Sequence, residues 1–147
     1  QLETDLELLI PDTYVNQIAE RLSLYQELDE VKTTEELDAY RKNLKDRFGD
    51  VPKETSELLK TIRLKWLSKE IGFEKIILKQ EKMICFFPSN QQSAYFESDA
   101  FTKALMFIQT NPRNCKMSER NNKLRLVFAG IHSISQAIGE LRKITKN

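Results

Sequence analysis

The feature that most constrains this chain is a change of hydrophobic period at Gly72. Before it, apolar residues recur at three- and four-residue steps, the spacing that puts them on one face of an α-helix. After it, short runs of β-branched, aromatic and alternating residues are interrupted by two further helical stretches. A chain patterned in this way cannot be all-helical or all-β. The 147 residues hold enough apolar side chains for a buried interior.

The helical part opens at Pro11-Asp12, where Asp12 is placed to cap a first helix whose stripe is Val15, Ile18, Leu22, Tyr25 and Leu28. Thr33 and Glu36 have capping-box spacing and start a second helix. Its inner face is Leu37, Tyr40, Leu44 and Phe48, and Gly49 ends it. Pro52 sits at the first turn of a third helix with Leu58, Leu59, Ile62, Trp66 and Leu67 inward. Three amphipathic helices with short connections form a small bundle. Ahead of them, Leu2, Thr4, Leu6, Leu8 and Ile10 alternate with Glu3, Asp5 and Glu7, which predicts a half-buried acidic strand over 2–10.

After Gly72, the runs 73–79 and 83–87 read as a hairpin around Gln80-Glu81-Lys82. Residues 89–97 are polar, a loop or a short extra strand carrying Tyr95 and Phe96. Ser98 caps a helix with Phe101, Ala104, Leu105 and Ile108 inward. A second hairpin turns near Asn121-Asn122, since Asn tolerates positive φ. A last helix from about Ser133 buries Ile134, Ala137, Ile138, Leu141 and Ile144. The expected fold class is α+β: an N-terminal three-helix bundle followed by an antiparallel sheet built from two strand–strand–helix units. The expected boundaries are 1–11 for a strand or linker from a preceding domain, 12–72 for a helical subdomain and 73–147 for an α+β subdomain.

The chemistry-bearing residues are sparse. Four glycines, none close to another, exclude a phosphate-cradling loop. His132 is the only histidine, and Cys85 and Cys115 lie thirty positions apart, so neither a metal set nor a disulfide scaffold is indicated. No apolar run approaches the roughly 18 residues of a membrane span, and no secretory signal is seen. The chain therefore reads as non-enzymatic, cytoplasmic, monomeric and without a cofactor of its own. Beginning at Gln1 rather than Met, it reads as a piece of a longer protein.

Charge is unevenly distributed. Residues 1–60 carry 8 Lys/Arg against 15 Asp/Glu, and residues 61–147 carry 15 against 7, giving −7 and +8 around an overall +1. The split is either two faces with different partners or two halves that attract each other. Arg113, Lys116, Arg120, Lys123 and Arg125 gather around the second hairpin, where phosphate contact is an alternative function.

Four segments in order carry a family resemblance: Leu9-Ile10-Pro11-Asp12-Thr13-Tyr14-Val15, Arg21-Leu22-Ser23-Leu24-Tyr25, Thr34-Glu35-Glu36-Leu37, and Asp46-Arg47-Phe48-Gly49-Asp50-Val51-Pro52. Together they resemble the C-terminal domain of the bacterial transcription-repair coupling factor (Mfd). That resemblance implies a parent that is an ATP-dependent DNA translocase, with ATP and Mg held in other domains. The parent displaces stalled RNA polymerase from double-stranded DNA and recruits nucleotide excision repair through UvrA. It also implies a regulatory role here, docking on the UvrA-binding domain of the same chain and masking it. Ala39, Lys42, Asn43 and Asp46 project opposite the inner face of the second helix; if family members use that helix, Asp46 is the first choice to meet a basic partner, with further charge from Asp38 and Glu35. Asn43 stands where relatives often carry an acid, which implies weaker ion pairing. Arg47 and Phe48 are assigned to helix-end packing.

Overall fold

The computed structural model describes residues 1–146. The elements run β1 (Leu2–Thr4), α1 (Ile18–Asp29), α2 (Thr34–Phe48), α3 (Lys53–Ile71), β2 (Lys75–Lys79), β3 (Lys82–Phe86), a short 3₁₀ turn (Ala94–Glu97), α4 (Asp99–Thr110), β4 (Cys115–Arg120), β5 (Lys123–Ala129) and α5 (Ile134–Thr145). The fold is α+β, with five α-helices and one five-stranded sheet among the described residues. Two compact units divide the described residues: 7–62 form one, and 1–6 with 63–146 form the other. Helix α3 gives its residues through Ile62 to the first and those from Arg63 to the second.

In the unit of residues 7–62, Leu24 and Leu28 of α1, Leu37, Tyr40 and Leu44 of α2, and Leu59 and Ile62 of α3 are buried, with Ile10 and Val15 from the leading segment. The Tyr40 hydroxyl, within this apolar set, donates to the Leu24 carbonyl at 2.6 Å and ties α2 to α1. Burial pushes its pKa up. Helix α2 is capped as its spacing predicts: Thr33 Oγ1 accepts from the Glu36 N–H at 3.1 Å, and Glu36 reaches back to the Lys32 N–H.

The start of α1 departs from the sequence reading. Pro11–Val15 is a turn in which the Tyr14 and Val15 N–H groups both donate to the Pro11 carbonyl, and the helix begins only at Ile18. Its inner face is consequently Leu24 and Leu28. Ile18 and Leu22, expected inside, stand 67% and 57% exposed. Along a 100° helical step those two lie on a different side from Leu24 and Leu28, so the stripe drawn through them joined two faces. Helix α3 also departs: besides Leu59 and Ile62 it buries Leu64 and Ile71, while Leu58, Trp66 and Leu67 are only half-buried. A single inner face is too simple for a helix whose two ends belong to different units.

In the other unit the strand order is β1-β2-β3-β5-β4. Pairs β2/β3, β3/β5 and β4/β5 are antiparallel, but β1 joins β2 in parallel, with Leu2 opposite Ile76 and Thr4 opposite Leu78. The sheet is thus mixed, where an antiparallel one was expected. The strand anticipated over 2–10 is only Leu2–Thr4 because its partner β2 has five residues and turns back at Gln80. One face of the sheet supplies Ile76, Leu78, Met83, Cys85, Leu126 and Phe128, all buried with Ala104 and Phe107 of α4 and the five apolar residues of α5. Phe107 was absent from the expected inner face of α4, where Phe101, Leu105 and Ile108 are half-buried flanks.

Both hairpins close with two residues at positive φ: Gln80 and Glu81 at 53° and 62°, and Asn121 and Asn122 at the same angles. This is the type I′ geometry, which asparagine and glycine accept far better than glutamine and glutamate. The first turn is held by bonds from outside it, the Asp5 carboxylate accepting from the Gln80 N–H at 2.9 Å and the Glu81 carbonyl from the Ile131 N–H. Replacing Gln80-Glu81 by Asn-Gly keeps both backbone bonds and removes the strain. We expect that variant to be more stable by about 0.5–1 kcal/mol; a urea midpoint equal to or below that of the parent would disprove this.

Candidate interaction surface on the second helix

Helix α2 has two opposed sides. Leu37, Tyr40 and Leu44 fix one inward. Glu35, Asp38, Lys42, Asn43 and Asp46 project within one arc on the other, and every one of them is exposed. Among the described residues, no side-chain partner is found for Glu35, Lys42, Asn43 or Asp46.

The C-terminal end of this surface is braced by aromatic and ionic contacts. Arg47 pairs with Glu20 of α1 at 3.3 Å, and its guanidinium lies 4.7 Å from the centre of the Phe48 ring. The Phe48 ring meets Tyr14 at 5.8 Å. The Tyr14 hydroxyl donates toward the carbonyls of Gly49, at 2.7 Å, and Leu44, at 3.1 Å. Burial, with the Asp50 carboxylate adding to it, raises the Tyr14 pKa. Asp46 sits in the last turn of α2, where free carbonyls already carry partial negative charge. A carboxylate there gains nothing from the helix dipole.

The other chemistry-bearing residues, Cys85, Cys115 and His132, belong to the unit that holds the sheet. Cys85 and Cys115 are free and buried. Burial raises both thiols, that of Cys115 to about 11, so neither is a ready thiolate at neutral pH. His132 is exposed, with Nδ1 3.3 Å from the Glu81 carboxylate. Among the described residues no group of three His, Cys, Asp or Glu side chains could hold a metal, and no helix is long and apolar enough to cross a membrane.

The fold defines the class of domain. It superposes on the crystal structure of the C-terminal domain of a transcription-repair coupling factor with a TM-score of 0.76, covering 99% of this chain and 93% of that one at 17% identity. The chain belongs to the TRCF domain family, whose model matches residues 4–98. It is 28% identical over 123 residues to the transcription-repair-coupling factor of Rickettsia bellii, which is 84% of this chain and 10% of that protein. Against the Escherichia coli factor it is 33% identical over 78 residues, 52% of this chain and 7% of that one. The chain thus spans about a tenth or less of the length of these relatives.

Proposed function

We propose that this chain is the regulatory C-terminal domain of a transcription-repair coupling factor. It is a non-catalytic module that docks through the outer face of α2 on the UvrA-binding domain of the same polypeptide and holds it masked. The parent is a cytoplasmic ATP-dependent DNA translocase that removes stalled RNA polymerase and recruits nucleotide excision repair. In this reading α1–α3 act as a three-helix bundle, residues 12–72, that carries the docking face. Residues 73–147 supply two strand–strand–helix units.

One observation carries the reading. Glu35, Asp38, Lys42, Asn43 and Asp46 share an exposed face on a helix whose opposite side is buried. A clamp that must open needs a moderate interface, and exposed complementary charges give one that is specific and breakable. Asp46 is assigned the ion pair with a basic group of the partner.

The full-length parent tests this. Asp46→Arg turns attraction into repulsion at the proposed ion pair and is expected to raise UvrA affinity by about 5-fold or more. Added salt should raise the affinity of the unaltered parent in the same direction by screening the clamp. Unchanged affinity in the Asp46→Arg parent, with the fold intact by circular dichroism, would refute the assignment.

A further inference from the structure

We propose that the face of the sheet left uncovered by α4 and α5 binds the sugar–phosphate backbone of duplex DNA. This inference concerns residues of the second unit and does not depend on the role of α2. It follows from register. Residues directly opposite on neighbouring strands share a face, so the alternates of the buried Ile76, Leu78, Met83, Cys85, Leu126 and Phe128 all lie on the other side. None of these alternates is buried.

Ile77, Ile84 and Val127 pair in one row across β2, β3 and β5, a half-buried apolar strip along the middle of that face. On one side of the strip the opposed pair Lys79 and Lys82 forms a bank of cations. On the other side, Lys75 and Arg125 flank Phe86, and the pair Arg120 and Lys123 extends the bank toward the Asn121-Asn122 turn. Lys116 lies opposite Val127 and closes the strip at the β4 edge. Arg125 is oriented by donating to Ser118 Oγ at 3.1 and 3.2 Å. Among the described strand residues of this face the one carboxylate is Glu3, opposite Ile77, and its charge is engaged by Lys75 at 2.8 Å and Lys79 at 3.7 Å; Asp5, one residue past β1, spends its carboxylate on the Gln80 N–H at 2.9 Å. These two ammonium groups hold the Glu3 carboxyl below its ordinary pKa.

Seven cations against Glu3, already paired, and the flanking Asp5 call for a polyanion. Rows two residues apart along a strand are separated by about 6.7 Å, so the banks stand ~13 Å apart across the strip. Two cation rows at that separation fit the phosphate rows bounding a duplex groove roughly 6–12 Å wide. A single strand is disfavoured, because its binders stack bases on several aromatic rings and this face offers only the half-buried Phe86. Along the chain, the cations of the second hairpin are neighbours of one another. Lys75, Lys79 and Lys82 join them only through the β3/β5 pairing.

The test is fluorescence anisotropy of this chain with a labelled 30-base-pair duplex of mixed sequence, between 50 and 200 mM salt. We expect the logarithm of the binding constant to fall with the logarithm of salt at a slope of about −4 to −5, the value for roughly five phosphate contacts. Lys82→Glu with Lys123→Glu, one from each bank, should weaken binding at least 10-fold. Lys32→Glu with Lys53→Glu makes the same change of net charge at exposed sites off this face and should leave it within 2-fold. A Lys82→Gln, Lys123→Gln pair with an unchanged melting curve guards against misfolding and should show an intermediate loss. A slope shallower than about −2 would overturn the proposal, as would equal losses in the off-face variant. Equal affinity for the matching single strand, or displacement of the duplex by polyglutamate at equal charge, would overturn it too.

Discussion

Gly72→Ala is expected to destabilise the unit containing the sheet by about 3–5 kcal/mol, of the order of a third of the stability of an ordinary domain. Two effects add. Gly72 sits at φ +105°, a region that L side chains rarely adopt, and placing alanine there costs about 1–2 kcal/mol. An added Cβ would also meet the Tyr95 ring, at 2.1 Å from Cε1 and 2.7 Å from Cδ1. The ring cannot yield freely, since its hydroxyl donates to the Ile71 carbonyl at 2.7 Å and its faces and edges meet Phe96 and Phe101 at 5.5 Å. Displacing it forfeits that hydrogen bond and strains the cluster, about 2–3 kcal/mol more. Urea unfolding followed by the fluorescence of Trp66, the single tryptophan, measures the loss. The same substitution in a Tyr95→Ala background should cost only the backbone part, about 1–2 kcal/mol. Equal costs in both backgrounds would show that the ring is not the obstacle.

Phe87→Ala should cost a comparable 3–5 kcal/mol. Phe87 follows β3, is fully buried, and is the ring around which the others gather. It meets Phe73 edge-on at 5.1 Å, Phe101 edge-on at 5.5 Å and Tyr95 at 6.2 Å. Truncation removes the most deeply buried ring of the cluster and leaves a cavity between rings that cannot all collapse into it. Phe87→Leu keeps most of the volume and should cost less than half as much. A thermal melt in which the two substitutions are equivalent would contradict this account. Because Tyr95 touches both positions, Gly72→Ala and Phe87→Ala should combine to less than their sum.

Much of the candidate docking face was legible along the chain. Helix α2 is amphipathic, capped by Thr33 and Glu36 and ended by a positive-φ glycine, Gly49. Once Leu37, Tyr40 and Leu44 point inward, the 3.6-residue period leaves no freedom in where Glu35, Asp38, Lys42, Asn43 and Asp46 point. Helix α1 shows where such reasoning fails. Its apolar residues occupy two sides, and the choice between Leu24/Leu28 and Ile18/Leu22 depends on where the helix starts. That start is set by the Pro11–Val15 turn and the Arg21 bond to the Val15 carbonyl at 2.6 Å, not by local hydropathy.

The sequence by itself determined the helices α2, α4 and α5 with their caps Thr33, Ser98 and Ser133, because capping, turn chemistry and hydrophobic period act within a few residues of chain. It determined the five inward positions of α5 and the turns at Gln80-Glu81 and Asn121-Asn122 for the same reason. What only the tertiary structure decided was long-range. The parallel pairing of Glu3 opposite Ile77, the closure of Tyr95 over Gly72, and the joining of Lys79 and Lys82 to Arg125 and Lys116 on one sheet face all unite residues distant along the chain. Such pairings are selected by the burial of a shared apolar face, a free energy that belongs to the assembled sheet and to no single segment of it.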